Sequence, residues 1–297
     1  LKGLLTTRPI SHMLFWRVKD REEAFLLRKN KLKDMECFVF DVDGTLSLGN
    51  TPLRGAKELI AFLVNRGTAH YFFTNNSSKN PEDYVKKLDG MGIQNDGIKS
   101  IITSGDVTAA YMLEKERRPK VFVCGTDALK RQFSGKEIDV VEEPGQKIDF
   151  AVLGFDTELS YKKLRILTDY ICEGVPYLAT NIDDVCPLED GKFLIDCGSM
   201  AKMIENATGQ RPKFLGKPEK ETVEYIISRS KKRSDKIALV GDRLYTDIMT
   251  AYNGGMVSVG VLTGEMTEED IEKSDIKPDF LFKSVYEILC ELKEEEK

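Results

Sequence analysis

Asp41 and Asp43 stand one residue apart at the end of an apolar run, Cys37 to Phe40, and Gly44 follows at once. Two like charges this close oppose each other's ionisation unless a cation or a reaction uses them. Residues i and i+2 of an extended chain point to the same side. Both carboxylates can then face one reacting phosphorus, one as nucleophile and the other as proton donor. Hard oxygen ligands at a strand end suit Mg2+, which takes one or two carboxylates, keeps several waters and lets a substrate phosphate complete its shell. Cysteine and histidine are absent from the turn, which disfavours zinc.

Three further polar turns can complete such a site. Gly44 lets the backbone approach a phosphate closely, with exposed N–H groups to hold its oxygens. Thr74 offers a hydroxyl, Asn75 and Asn76 offer amides, and Lys217 offers a compact positive charge that can bind phosphate and screen a nucleophile. Asp242 and Asp247 flank Arg-Leu-Tyr-Thr; one can bind the metal while the other orients its waters or the lysine. Taken singly, these residues have plainer readings: an Asp-Gly turn, a helix N-cap at Thr74–Ser78, a solvated lysine before Pro218. Their order, each after an apolar run, joins them into one pattern.

The runs that must position these residues alternate with amphipathic stretches. Cys37–Phe40 reads as a parallel strand buried on both faces, and Leu59, Ile60, Leu63 and Val64 fall at helical spacing before Gly67. The rhythm recurs through the strand at His70–Thr74, a helix through Tyr84–Leu88, "IITS", and a helix around Val107–Leu113. It returns at "PKFLGKP", "KIALVGDRLYTD", "MVSVGVLTG" and "DFLF". This is the pattern of a doubly wound parallel α/β sheet, in which ligands bind beyond the carboxyl ends of the strands. The segment 115–206 alternates strands and helices of its own and is long enough for a small core. The expected division is an extension at 1–36, a core at 37–114 and 207–297, and an inserted cap at 115–206. An amphipathic lead-in helix is expected from Asp20 to Lys33.

With 297 residues, 41% hydrophobic and 31% charged, the chain has the balance of a globular protein. A net charge of −5 gives no general attraction to nucleic acid. The six cysteines form neither CxxC pairs nor a disulfide framework, and no apolar run approaches the roughly 20 residues that span a bilayer. A cytoplasmic location is expected. The acid-free segment 1–19, with Lys2, Arg8, Arg17 and Lys19, is compatible with a transit peptide. His70 is expected to pack in its strand, and Gly198 fits either a hinge or a helix start.

The motifs "DVDGT", "FTNNS", "GKP" and "GDRLYTD" resemble, in order, the four motifs of the haloacid dehalogenase-like phosphatases, over about Phe38 to Leu289. The long insertion, with "ATNIDDVCPLEDG" and "GSMAKMIENATG", is similar to the large cap of the subgroup containing phosphoglycolate, pyridoxal and 4-nitrophenyl phosphatases. The resemblance implies a Rossmann-like core, Asp41 as the nucleophile that becomes an aspartyl-phosphate, and Asp43 as the acid and then the base. It implies Mg2+ held by Asp41, the Asp43 backbone carbonyl and Asp242 with Asp247 in support, and Thr74, Asn75 and Lys217 on the phosphoryl group. Substrate choice is expected in the cap, with the loop Asn181–Pro187 reaching over the site. Pyridoxal phosphatases carry a histidine where this chain has Cys186, so Cys186 is either a substrate contact or a filler. The expected substrate is a small phosphorylated metabolite, 2-phosphoglycolate first and pyridoxal 5′-phosphate second, with p-nitrophenyl phosphate as an artificial one. A non-catalytic phosphate-binding scaffold is the contrasting reading. Relatives imply a homodimer through the cap.

Overall fold

The computed structural model describes residues 32–188 and 191–295. The transit-peptide reading and nearly all of the expected lead-in helix lie outside the described residues. The described end of the extension is packed: Leu32–Asp34 form a 3-10 turn, and Leu32 and Met35 are buried in the core.

Cys37–Phe40 is a strand buried at every position. Its side chains alternate as strand geometry requires: Phe38 and Phe40 enter the cluster on one face of the sheet, Cys37 and Val39 the cluster on the other. The six-stranded sheet has the order Phe280–Phe282, Val257–Val261, Ile237–Gly241, Cys37–Phe40, Ala69–Thr74, Ile101–Thr103, and every pair is parallel. From Cys37–Phe40 the chain first winds to one side and later returns to build the other. The switch point therefore lies at the carboxyl end of that strand, beside Ile237–Gly241, which is where such sheets open a crevice.

The inserted material forms a second parallel sheet in the order Lys213–Phe214, Tyr177–Ala179, Phe150–Leu153, Lys120–Cys124, Asp139–Val141. Phe122, Leu153, Phe155, Tyr170 and Tyr177 give it its own apolar cluster. Val121, Val123, Val152 and Leu178 on its other face share a cluster with Phe73, Ile102, Met112 and Leu215, so one apolar layer joins both sheets. The strand expected in "PKFLGKP" does exist, but Lys213–Phe214 extends the second sheet by pairing with Leu178 and Ala179 rather than continuing the first. It lies beyond position 206.

Local chemistry explains the helices nearest the crevice. Asn80 caps Pro81–Gly90 through a reciprocal bond pair with Asp83, and proline occupies the first helical position. Thr103 and Asp106 make the same box for Ser104–Lys115. After Gly241 the chain makes a π turn, Leu244–Ile248, before the short helix Met249–Gly254. Among the described residues no helix is long and apolar enough to cross a membrane, and the cysteines are free.

Candidate active site

Asp41 leaves the first strand with its N–H still bonded to the Val240 carbonyl at 2.8 Å. The chain then folds back: Leu46 and Ser47 both donate to the Val42 carbonyl, and Gly44 donates to Ser47. Gly44 has φ +93°, and a Cβ there would stand 2.4 Å from Asp242 Oδ2. Only glycine satisfies both demands. Asp242 is buried after Ile237–Gly241; its Oδ1 accepts from Thr45 Oγ1 at 3.1 Å and its Oδ2 from the Glu265 N–H at 2.9 Å. Asp247, on the π turn, accepts from Lys217 Nζ at 2.7 Å and from the Arg243 N–H at 3.2 Å.

One carboxylate oxygen from each of Asp41, Asp242 and Asp247 lies within 4.8 Å of the others. Lys217, only 2% exposed, reaches Asp41 Oδ1 at 2.6 Å, Asp247 Oδ1 at 2.7 Å and the Phe73 carbonyl at 3.2 Å. Burial drives Asp41 well above the ordinary carboxylate range; Lys217 pulls it back, while Asp247 and Asp242 push it further up. Burial, then Asp247, raises Asp242 to about 6. Burial would lower Lys217, but Asp247 and Asp41 outweigh it and hold the ammonium charged. Three carboxylates against one ammonium leave two negative charges when ionised. An oxygen-only set with that excess fits a divalent cation such as Mg2+ or Ca2+.

The Asp43 carboxylate stands outside this cluster. Its Oδ1 accepts from Lys87 Nζ at 2.6 Å, and Lys87 comes from the helix Pro81–Gly90. Tyr84, one turn earlier, places its hydroxyl 3.3 Å from Thr74 Oγ1. Thr74 also accepts the Asn76 N–H at 3.1 Å. The Asn75 side chain is a brace: it donates to Asp183 Oδ2 at 2.9 Å and the Lys217 carbonyl at 3.1 Å, and accepts the Lys217 N–H at 2.8 Å. Asn76 accepts from Ser78 and lies 3.9 Å from Cys186 Sγ.

The loop Asn181–Pro187 meets the core at this point. Asp183, buried, lies 3.3 Å from Arg243 Nη1, whose other nitrogen reaches Glu265 at 2.7 Å. Burial raises the Asp183 carboxyl, against Arg243 and Asn75. Cys186 is half-buried, and burial pushes its thiol up to about 12, so it faces the cleft as a neutral thiol. Gly198 lies in the first turn of Cys197–Thr208, where a Cβ would stand 2.3 Å from the Ile182 carbonyl; close packing is its observed requirement. His70 packs edge-on to Phe72 at 5.6 Å. The cleft, about 940 Å3, is lined by Asp41, Asp43, Thr74, Lys217, Asp242 and Arg243 on the core and by Phe155, Cys186 and Leu194 on the insertion.

A model of the haloacid dehalogenase-like hydrolases matches residues 38–139, and a second, HAD-hydrolase-like, matches 214–288. An acid sugar phosphatase of Staphylococcus aureus is 33% identical over 261 residues, covering 88% of this chain and 99% of that protein. The chain belongs to the haloacid dehalogenase-like hydrolases. The crystal structure of a 4-nitrophenylphosphatase from Thermotoga maritima is similar at TM-score 0.83 and 39% identity, covering 88% of this chain and 98% of that one. A glycerol phosphate phosphatase from Mycobacterium tuberculosis, in complex with calcium, is similar at TM-score 0.79 and 26% identity over 86% and 76%. With relatives of these names, this haloacid dehalogenase-like hydrolase is a phosphoric monoester hydrolase.

The structure of this haloacid dehalogenase-like hydrolase also brings in residues that motif reading missed. Thr45, Gly264 and the Glu265 N–H fix the Asp242 carboxylate; a Cβ on Gly264 would stand 1.8 Å from its Oδ2. Thr45 closes the quoted motif "DVDGT" without a role having been read for it, and for Gly264 and Glu265 the glycine after Thr263 was the signal. Arg243 and Asp183 sit inside quoted motifs, so their identity was visible and their pairing was not. Lys87 had no sequence signal beyond sharing a helix face with Tyr84.

Proposed function

We propose that this chain is a Mg2+-dependent phosphatase that hydrolyses a small phosphate monoester through an aspartyl-phosphate on Asp41, with 2-phosphoglycolate the first metabolite to test. The reading is carried by one observation: Asp41 opens on the cleft with Lys217 2.6 Å from its carboxylate, inside a three-carboxylate cluster. An Asp41 oxygen attacks phosphorus as the bond to the leaving oxygen breaks, and the Asp43 carboxyl gives its proton to that oxygen. Asp43 then takes a proton from the water that attacks the aspartyl-phosphate, which releases phosphate and restores Asp41. Lys217 and Thr74 bind the transferring phosphoryl group, Gly44 allows its close approach, and Asn75 and Asn76 shape the turn around it. Mg2+, held by Asp41, the Asp43 backbone carbonyl and Asp242 with Asp247 supporting, would supply charge neutralisation for the phosphoryl oxygens.

The inserted unit, which we take to run from about position 115 through the strand ending at Phe214, supplies the leaving-group side of the cleft. Lys79, Lys192 and Glu265 line that cleft together with Cys186. Among this mixed lining, which also includes Phe155 and Leu194, the two lysines supply positive charge suited to a short acidic leaving group. The test is turnover of 2-phosphoglycolate, glycerol phosphate, pyridoxal 5′-phosphate and p-nitrophenyl phosphate with Mg2+ and with EDTA, beside Asp41→Asn. We expect metal-dependent hydrolysis, the greater kcat/KM on 2-phosphoglycolate, and its abolition in Asp41→Asn. Undiminished hydrolysis by that variant overturns the mechanism, and preference for pyridoxal 5′-phosphate overturns the substrate assignment.

A further inference from the structure

We propose that Lys87 is a positioning residue for leaving-group protonation, holding the Asp43 carboxylate in the orientation from which it serves the departing oxygen. The inference rests on the reading of Asp43 as the acid and base. Lys87 lies outside the four quoted motifs, yet its side chain is only 8% exposed while that of Asp43 is 42% exposed. The ammonium is thus the fixed partner and the carboxylate the freer one. Long lysine side chains ordinarily carry their charge to water. This one turns inward from the helix Pro81–Gly90 to the cleft, and Asp43 is its one carboxylate partner among the described residues.

The helix that carries Lys87 is itself pinned to the site. Tyr84 is fully buried, its hydroxyl lies 3.3 Å from Thr74 Oγ1, and its ring lies 5.9 Å from Lys87 Nζ. Residues three apart share a helix face, so one face touches both the end of the Ala69–Thr74 strand and the Asp43 side chain. Asp43 sits after Val42, beyond the last residue of its strand; its backbone makes a single bridge to Ser47, which leaves the side chain's rotamer unset. Without Lys87 its carboxylate has no described charged partner to select one rotamer.

In the step concerned, the bond from phosphorus to the leaving oxygen breaks as the bond to Asp41 forms. The proton passes from the Asp43 carboxyl to the leaving oxygen, and Asp43 remains as a carboxylate paired with Lys87. A poor leaving group such as an alkoxide needs that proton; p-nitrophenolate needs it far less. Orientation of Asp43 should therefore matter in proportion to leaving-group basicity.

The experiment compares kcat/KM for glycerol phosphate and for p-nitrophenyl phosphate in the wild type, Lys87→Met, Lys87→Arg and Asp43→Asn. This parameter covers steps through first phosphoryl transfer, so later hydrolysis of the aspartyl-phosphate does not blur it. General acid catalysis is worth roughly 10²–10⁴-fold. We expect Lys87→Met to lower the ratio of the two kcat/KM values by at least about tenfold, in the same direction as Asp43→Asn. Lys87→Arg, which keeps the charge, should recover most of the ratio. Equal losses on both substrates, or an unchanged ratio, in Lys87→Met overturn the role of Lys87. If Asp43→Asn also leaves the ratio unchanged, the acid role of Asp43 falls with it, which separates failure of the underlying reading from failure of this inference alone.

Discussion

Replacing Lys217 with methionine keeps much of the side-chain volume and removes, among the described residues, the cation that pairs with both Asp41 and Asp247 in the cluster with Asp242. The change deletes two ion-pair contacts, at 2.6 and 2.7 Å, and a bond to the Phe73 carbonyl. Breaking a buried pair by removing one partner costs about 3–5 kcal/mol, because the other charge stays buried and unpaired. At 2–4 °C per kcal/mol for domains of 150–250 residues, the melting temperature in EDTA should fall by roughly 6–20 °C. A divalent cation at a hundred times its Kd adds about 2.7 kcal/mol, so Mg2+ should narrow the gap. Asp247→Asn in the same background should narrow it too, since residues in contact couple. Thermal unfolding followed by circular dichroism, with EDTA and then with Mg2+, measures each term, and kcat/KM should drop by about 10²–10³-fold. A Lys217→Met protein melting within about 2 °C of the wild type in EDTA would refute the reasoning, because the excess charge would then carry no penalty.

Two other perturbations test separate parts of the site. Gly264→Ala forces a Cβ to within 1.8 Å of Asp242 Oδ2 unless the carboxylate swings away from Thr45 and the Glu265 N–H; half-saturation by Mg2+ in a turnover assay should rise by about 10–100-fold, and an unchanged value would show that the carboxylate's orientation is not set there. Asp196 N-caps the helix Cys197–Thr208, and burial raises its carboxyl from 3.8 to about 7. The folded state therefore binds the proton more tightly than the unfolded state, and this group's contribution to stability is lost as pH rises from about 4 to about 7. Asp196→Asn keeps a capping oxygen and should gain about 2–3 kcal/mol on the wild type between pH 5 and pH 8 in urea unfolding; a difference independent of pH contradicts the assignment.

Where each strand ends in a polar turn, the sequence was legible. Phe38 and Phe40 alternate with Cys37 and Val39 because a strand buried on both faces is apolar at every position, and the first polar residue after it, Asp41, falls at the carboxyl end of the sheet. The same logic located Thr74 and Asp242. Lys213–Phe214 was assigned to the wrong sheet because a two-residue strand carries no periodicity and either sheet can accept it. Lys87 and the Asp183–Arg243 pair were hidden for a different reason: a lysine on a helix face reads as solvated until that helix is packed beside the Asp43 turn, and a loop carboxylate does so until the inserted unit is set against the core. Asn75 shows the converse. Its amide looked free to meet a phosphate, and the structure uses that side chain to tie Lys217 and Asp183 together.

The most direct measurement is an acid-quenched single turnover with 32P-labelled substrate followed by peptide mapping of the labelled protein. Covalent attack by Asp41 predicts an acid-stable label on the peptide containing residues 37–46, absent in Asp41→Asn and retained longer in Asp43→Asn. Label on any other residue, or label that persists in Asp41→Asn, contradicts the account.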